Sequence, residues 1–382
     1  GYRAGYLNTT GTSIVALGYQ ALYSNTTATN HTAVGYSALA SNTTGDSNTG
    51  IGSSALTNNT TGTRNTAVGR TALQTNTSGI DNVAVGYFAL YKNTTAGNNT
   101  ALGREALREN TTGSYNVAVG SLALDANTTA SNNTAVGMQS LTANTTGASN
   151  VAVGYQAGYS NTTGTNHTVV GTGALYTNTT GTNNTALGVN AMRNATTASY
   201  NTAVGINSLF SATTGDGVNT AIGRESMYST TTGARNTAVG QSSLLNNTTA
   251  SGNTAIGMES LFSNTTGAQN AAVGDNALYA NTTASNNTAV GYQALLTNTT
   301  GGANTALGTT ALRSSTTASN NVAVGQDSLY TLTTGTGNVV LGTAAARGMT
   351  TGNYNVVVGQ EALKANTTTS YNTAVGYQAL SG

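Results

Sequence analysis

The sequence predicts an all-β fold, a parallel β-solenoid or β-roll in which each 17-residue repeat forms one coil. Three observations predict it. First, the 382-residue chain repeats itself every 17 residues. With the Asn of NTT as position 1, repeats begin at Asn8 and run in steps of 17 to Asn178, then through Ala195 and Ala212; one extra residue near Gly217 shifts the frame to Thr230. Second, residues alternate over positions 8 to 10, where Thr or Val, then Ala, then Val, Ile or Leu recur (Val34, Ile51, Leu102); period two is the mark of a short strand with one buried face. Third, Gly, Asn and Thr dominate, and apolar residues do not recur at helical spacing. Residues 1–382 therefore read as one array of 22 repeats with the consensus NTT(G/A)xxNTAVGxxALxx.

The elements follow in order along a repeat. Positions 1 to 6 carry turn residues. Positions 7 to 10 form the strand, with the position-10 aliphatic expected inside. Position 11 is Gly in every repeat (Gly35, Gly69, Gly376), which marks a backbone with positive φ or no room for a Cβ. Positions 13 to 16 predict a second strand-like piece, because position 15 is Leu in 18 of 22 repeats. Neither piece can bury its apolar face alone, so the coils must stack. At a strand spacing of ~4.8 Å the stack would be roughly 100–110 Å long. Few large side chains line such a coil, which favours oligomerisation.

Composition excludes several classes of function. Charged residues are only 6%, and the net charge of +1 gives no electrostatic case for nucleic acid or an anionic membrane. There is no Cys, hence no thiol catalysis, disulfide or Cys-ligated zinc. No window approaches the ~20 apolar residues of a membrane span, and residues 1–30 show no signal peptide. Gly1 falls mid-repeat and Gly382 stops in full consensus. The expectation is a chain that continues beyond this segment, or subunits that join head to tail into a filament, since a bare strand edge invites stacking.

The runs NVAVG at 116–120 and 150–154, NTAIG at 219–223, and NTAVGYQAL at 287–295 and 372–380 resemble the head repeats of trimeric autotransporter adhesins and related bacterial and phage trimeric fibre proteins. The resemblance implies a left-handed β-roll, a homotrimeric fibre, and an extracellular, cell-surface or virion location. The 17-residue period is longer than that family's usual coil, and NTTG is an added element.

Candidate sites fall into columns. Position 7 is Asn in 19 repeats, with Ile14, His31 and His167 in the others, as expected of an amide ladder. The two histidines are eight repeats apart, too distant to share a metal. The acceptor sequence N-x-Ser/Thr makes Asn8, Asn25, Asn42, Asn59, Asn76, Asn93, Asn110, Asn127, Asn144, Asn161, Asn178, Asn247, Asn264, Asn281, Asn298 and Asn366 candidates for N-glycosylation. The competing reading is that Asn and Thr serve turns and cross-coil hydrogen bonds, since Thr holds position 2 even where Ala195, Ala212, Thr230, Ser315, Leu332 or Met349 replaces the Asn. Tyrosines keep to positions 12, 16 and 6 (Tyr19, Tyr23, Tyr115); they could form a sugar-binding surface, a seam between chains, or local stacks.

The adjacent threonines of NTT would point to opposite faces of an extended segment, which counts against an ice-binding face. Charges at positions 12, 13 and 16 (Arg104, Glu105, Arg108, Asp125, Glu361, Lys364) read as solvated. Eleven carboxylates spread over the array make no acid/base pair, and isolated Asp46 or Asp216 cannot assemble a calcium shell. No catalytic residue, cofactor or metal ligand is assigned, and the chain is not expected to be an enzyme. The expected function is a structural extracellular fibre segment that gives reach and surface presentation. The alternatives are an adhesin head binding host matrix or glycans, and an ice- or crystal-surface binder. The expected partners are copies of itself, and glycans or surfaces.

Overall fold

The computed structural model describes residues 1–215 and 217–382 and divides into two units, Gly1–Thr197 and Ala198–Gly382. Both are all-β parallel solenoids. Among the described residues unit 1 carries eleven strands: β1 (Ile14–Leu17), β2 (His31–Val34) and nine three-residue strands ending with β11 (Thr185–Leu187). Unit 2 carries another eleven, from β12 (Thr202–Val204) to β22 (Thr373–Val375). Within each unit, neighbouring strands pair in parallel one repeat apart, as in Thr66↔Val83, Ala67↔Ala84 and Val68↔Val85. The extra residue is visible in the register: Thr202 pairs with Thr220, 18 residues on. It is absorbed outside the strands, where Gly215 and Val218 take positive φ. Asp216 lies outside the described residues.

The strand is shorter than the sequence suggests, and it faces the other way. Position 9 is the inward residue: Ala67, Ala101 and Ala135 are completely buried, while positions 8 and 10 are half-buried or exposed. Val34 and Val68 are half-buried, and Leu102 is 46% exposed. The expectation of an inward position 10 is thus corrected. The cause is space. Leu at position 15 fills the interior, with Leu39, Leu73 and Leu107 fully buried, and leaves room opposite for little more than a methyl group. At Gly50, which stands where most other coils have Ala, an added Cβ would already lie 3.2 Å from Leu39 Cγ; the larger Val169, Val340 and Val357 are buried at this position in repeats that carry or adjoin Gly158 or Ala346 in place of the position-15 Leu.

The second strand-like piece is not a strand. Positions 13 and 15 adopt left-handed φ, as in Thr71 (56°) and Leu73 (50°), and the residues between them do not. This alternation still pairs with neighbouring coils. The Thr71 N–H donates back to Ser53 O at 2.9 Å, and the Leu73 N–H donates forward to Ala89 O at 2.9 Å. Left-handed φ costs an L-residue about 1–2 kcal/mol, and more when the side chain is β-branched. Position 15 is Leu, Met, Ala or Gly, never Val, Ile or Thr, whereas position 13, at similar φ but less buried, admits Thr71 and Thr310. The intercoil hydrogen bonds and the burial of Leu offset the strain.

The position-11 glycine closes the strand. At Gly69 φ is 135°, and a Cβ there would come within 2.6 Å of Gly86 O in the next coil. Stacked glycines at this position let adjacent backbones approach at strand spacing.

Candidate functional site

The polar interior is built from two asparagine columns. At position 1 each amide bridges coils: Asn76 Nδ2 donates to Asn59 Oδ1 at 2.7 Å and to Gly79 O of its own turn at 3.1 Å. At position 7 the amide serves backbone. Asn65 Nδ2 donates to Gly79 O at 2.8 Å, and Asn65 Oδ1 accepts the Asn82 N–H at 3.0 Å. These bonds answer the requirement that buried polar groups be paired. Position 2 completes the pattern: both the N–H and the Oγ1 of Thr60 donate to Thr77 O, at 2.9 and 3.0 Å.

This geometry decides how the NTT motif is used. Of the sixteen position-1 candidates, Asn25, Asn42, Asn59, Asn76, Asn93, Asn110, Asn127, Asn144, Asn161, Asn178, Asn247, Asn264, Asn281 and Asn298 are fully buried. The nitrogen that would carry a glycan is enclosed in the folded coil, so a glycan at these fourteen positions is incompatible with the ladder. Asn8 is exposed and Asn366 half-buried. Leu332 and Met349, which replace the ladder Asn, are also fully buried, so this column tolerates an apolar side chain of similar volume.

The histidines occupy the position-7 column as expected. Asn48 and Asn184 each donate a backbone N–H to Nδ1 of His31 and His167, at 3.3 Å. Both rings are 2% exposed. Desolvation holds both pKa values below the usual 6.5 and pulls His167 down to about 4, against the weaker opposing effect of its backbone hydrogen bonds. Each ring is a neutral substitute for Asn.

The outer surface carries the remaining candidates. Tyr2, Tyr19 and Tyr36 stack at 5.6 and 5.2 Å, and Tyr159 stacks on Tyr176 at 4.9 Å. Their ring faces are thus partly covered by one another. Arg108 draws in three carboxylates, Glu105 at 2.7 Å, Glu109 at 3.0 Å and Asp125 at 3.3 Å. Asp125 is pushed up to about 6, chiefly by burial, with Glu105 and Glu109 adding to the rise against the pull of Arg108. The described residues hold no group of three or more His, Cys, Asp or Glu placed to bind a metal. Among them no helix is long and apolar enough to cross a membrane.

Sequence reasoning missed the outward sheet face. Position 8 (mostly Thr, otherwise Val or Ala) and position 10 (Val, Ile or Leu) line it in each unit, without a charged residue in either column. The available signal was the Ala column between them, the small residue that a narrow interior demands. No protein-family model and no curated protein matches the chain.

Proposed function

We propose that this chain is a structural segment of an extracellular fibre, giving reach and surface presentation, and that it works as a homo-oligomer, a trimer in its simplest form. The observation that carries this reading is the outward sheet face. Repeated rows of half-exposed Val, Ile and Leu, such as Leu102 (46%) and Leu187 (45%), form an uncharged apolar surface of the kind that ordinarily packs against another protein. Its columns are periodic, so a second copy offers a matching surface at every coil. The resemblance to trimeric fibre heads supports the same assembly and a cell-surface or virion location. Ladders that recur over many coils, with few substitutions, suit a spacer. Sedimentation and mass-per-length measurements test the reading: three chains per cross-section are expected, and a single chain would reject it.

A second reading, ice or crystal binding, is favoured by one specific observation. Outward threonines do exist, at position 8 rather than in the NTT motif, each set across an inward Ala from an outward aliphatic (Thr66, Ala67, Val68). Thermal hysteresis in solution would favour this use of the face over self-association.

A further inference from the structure

We propose that unit 2 carries a binding groove for an acidic polysaccharide, built from position 16 of four successive coils. Those positions hold Arg313, Tyr330, Arg347 and Lys364, so coil stacking sets three cations and a phenol in one row. At a coil spacing of ~4.8 Å, Lys364 stands one step from Arg347, and Arg313 stands two steps away on the other side. Tyr330 is the spacer. The Arg313 and Arg347 guanidinium groups lie 5.7 and 5.2 Å from its ring centroid, and cation–π attraction orients both.

Beside this row runs a groove of about 380 Å³, lined by Tyr330, Thr331, Arg347, Gly348, Lys364 and Ala365. Gly348 opens it, because the coils on either side carry a side chain at the same position, Thr331 and Ala365.

The cations are not equally committed. Arg313 donates to Gln293 Oε1 at 3.1 Å and to the Tyr330 hydroxyl at 3.3 Å. Lys364 donates to Glu361 at 2.8 Å. Arg347 lies 3.7 Å from Asp327 Oδ2, beyond hydrogen-bond reach, and its side chain is 48% exposed. Among the described residues it is the arginine of this row whose planar fork makes no hydrogen bond, its pairing with Asp327 being the longer-range one. Such a fork binds a carboxylate or sulfate through two parallel hydrogen bonds, and Lys364 adds a point charge one coil on.

The surroundings select a sugar polymer over nucleic acid. Asp327 and Glu361 flank the row. They can accept hydrogen bonds from the free hydroxyls of sugar rings, which duplex DNA, with no 2′-hydroxyl and its other sugar oxygens esterified, does not offer. The small floor residues suit the C–H face of a sugar ring. The inference is independent of the fibre reading, since these columns are distinct from positions 8 and 10.

The test is calorimetric titration of the full chain with a sulfated glycosaminoglycan, with neutral dextran and with double-stranded DNA. The wild type is expected to bind the sulfated polymer and not dextran. Arg347→Gln and Lys364→Gln should each weaken binding about tenfold, the loss of a charge-assisted contact, and Arg347→Lys should weaken it several-fold because the fork is gone. Arg235→Gln, outside the groove in the same unit, should change nothing. Unchanged circular dichroism confirms that these surface variants fold. Absence of binding, an equal loss in Arg235→Gln, full retention by Arg347→Gln, or equal affinity for DNA would overturn the proposal.

Discussion

Replacing His167 with Asn should remove an acid-sensitive contribution to stability. The unfolded chain protonates this imidazole near pH 6.5, whereas the folded coil resists protonation down to about pH 4. Between those values the unfolded state binds more protons, so stability falls as the pH falls; the contribution is intact above 6.5 and lost below about 4. At about 1.4 kcal/mol per pH unit the full loss is about 3 kcal/mol. His31 adds to it in the same direction.

Asp125 works the opposite way. Its folded pKa is raised from 3.8 to about 6, so between those values the folded state holds a proton that the unfolded state releases. Stability therefore rises on acidification, again by about 3 kcal/mol. The two groups oppose each other in the wild type, with His31 on the side of His167. His167→Asn, which restores the ladder residue, should abolish the loss of stability from pH 6.5 to 4 in the coils around residue 167, and Asp125→Asn should abolish the gain over the same range in the coils around residue 125. Melting followed by circular dichroism, with hydrogen-exchange protection read around residues 150–184 for His167 and around residues 108–142 for Asp125, measures both, because stability in a stacked-repeat protein is largely local. Profiles of the two variants that superimpose on the wild type would refute the reasoning.

Other substitutions separate the roles of the columns. Leu107→Val should destabilise by roughly 2–4 kcal/mol, from lost volume plus the penalty for a β-branched residue at left-handed φ, and Leu107→Met by less than about 1.5; a chemical melt distinguishes them. Leu107→Asp should cost several kcal/mol by burying an unpaired charge, while the exposed Arg104→Ala should stay within about 0.5. Asn116→Ala removes the acceptor for the Asn133 N–H and the donor to Ala130 O. It should cost about 2–4 kcal/mol and raise amide exchange in the two adjoining coils. Val136→Glu, on the outward face, should leave the circular dichroism unchanged and abolish self-association in sedimentation.

The sequence made the period, the parallel stacking, the inward leucine at position 15 of the repeat and the position-7 amide ladder readable, because each repeats often enough to outweigh local ambiguity. It did not show which side of the strand is interior. Alternation at Thr66-Ala67-Val68 defines two faces and is silent on their sense; the larger residue points out only because Leu73 and its neighbours already fill the coil. The run at positions 13 to 16 resembled a strand because Ala-Leu recurs there, and its composition did not mark the left-handed φ that Thr71 and Leu73 share. Burial of Asn59 and its column was foreshadowed by Leu332 and Met349, which replace it without disturbing the repeat.

The sameness of the coils raises a problem of alignment. A ladder of identical amides is equally satisfied when one coil skips ahead by a whole repeat, so neither the asparagines nor the glycines can tell the correct neighbour from the next one. The sparse charges can. Arg64 reaches Asp81, Lys92 reaches Glu109, and Arg108 reaches Asp125, each 17 residues ahead, and a skipped coil would bring different residues opposite. Each surface pair is individually weak. Scattered along an otherwise uniform track, they act as index marks, making one alignment lower in energy than its near-copies.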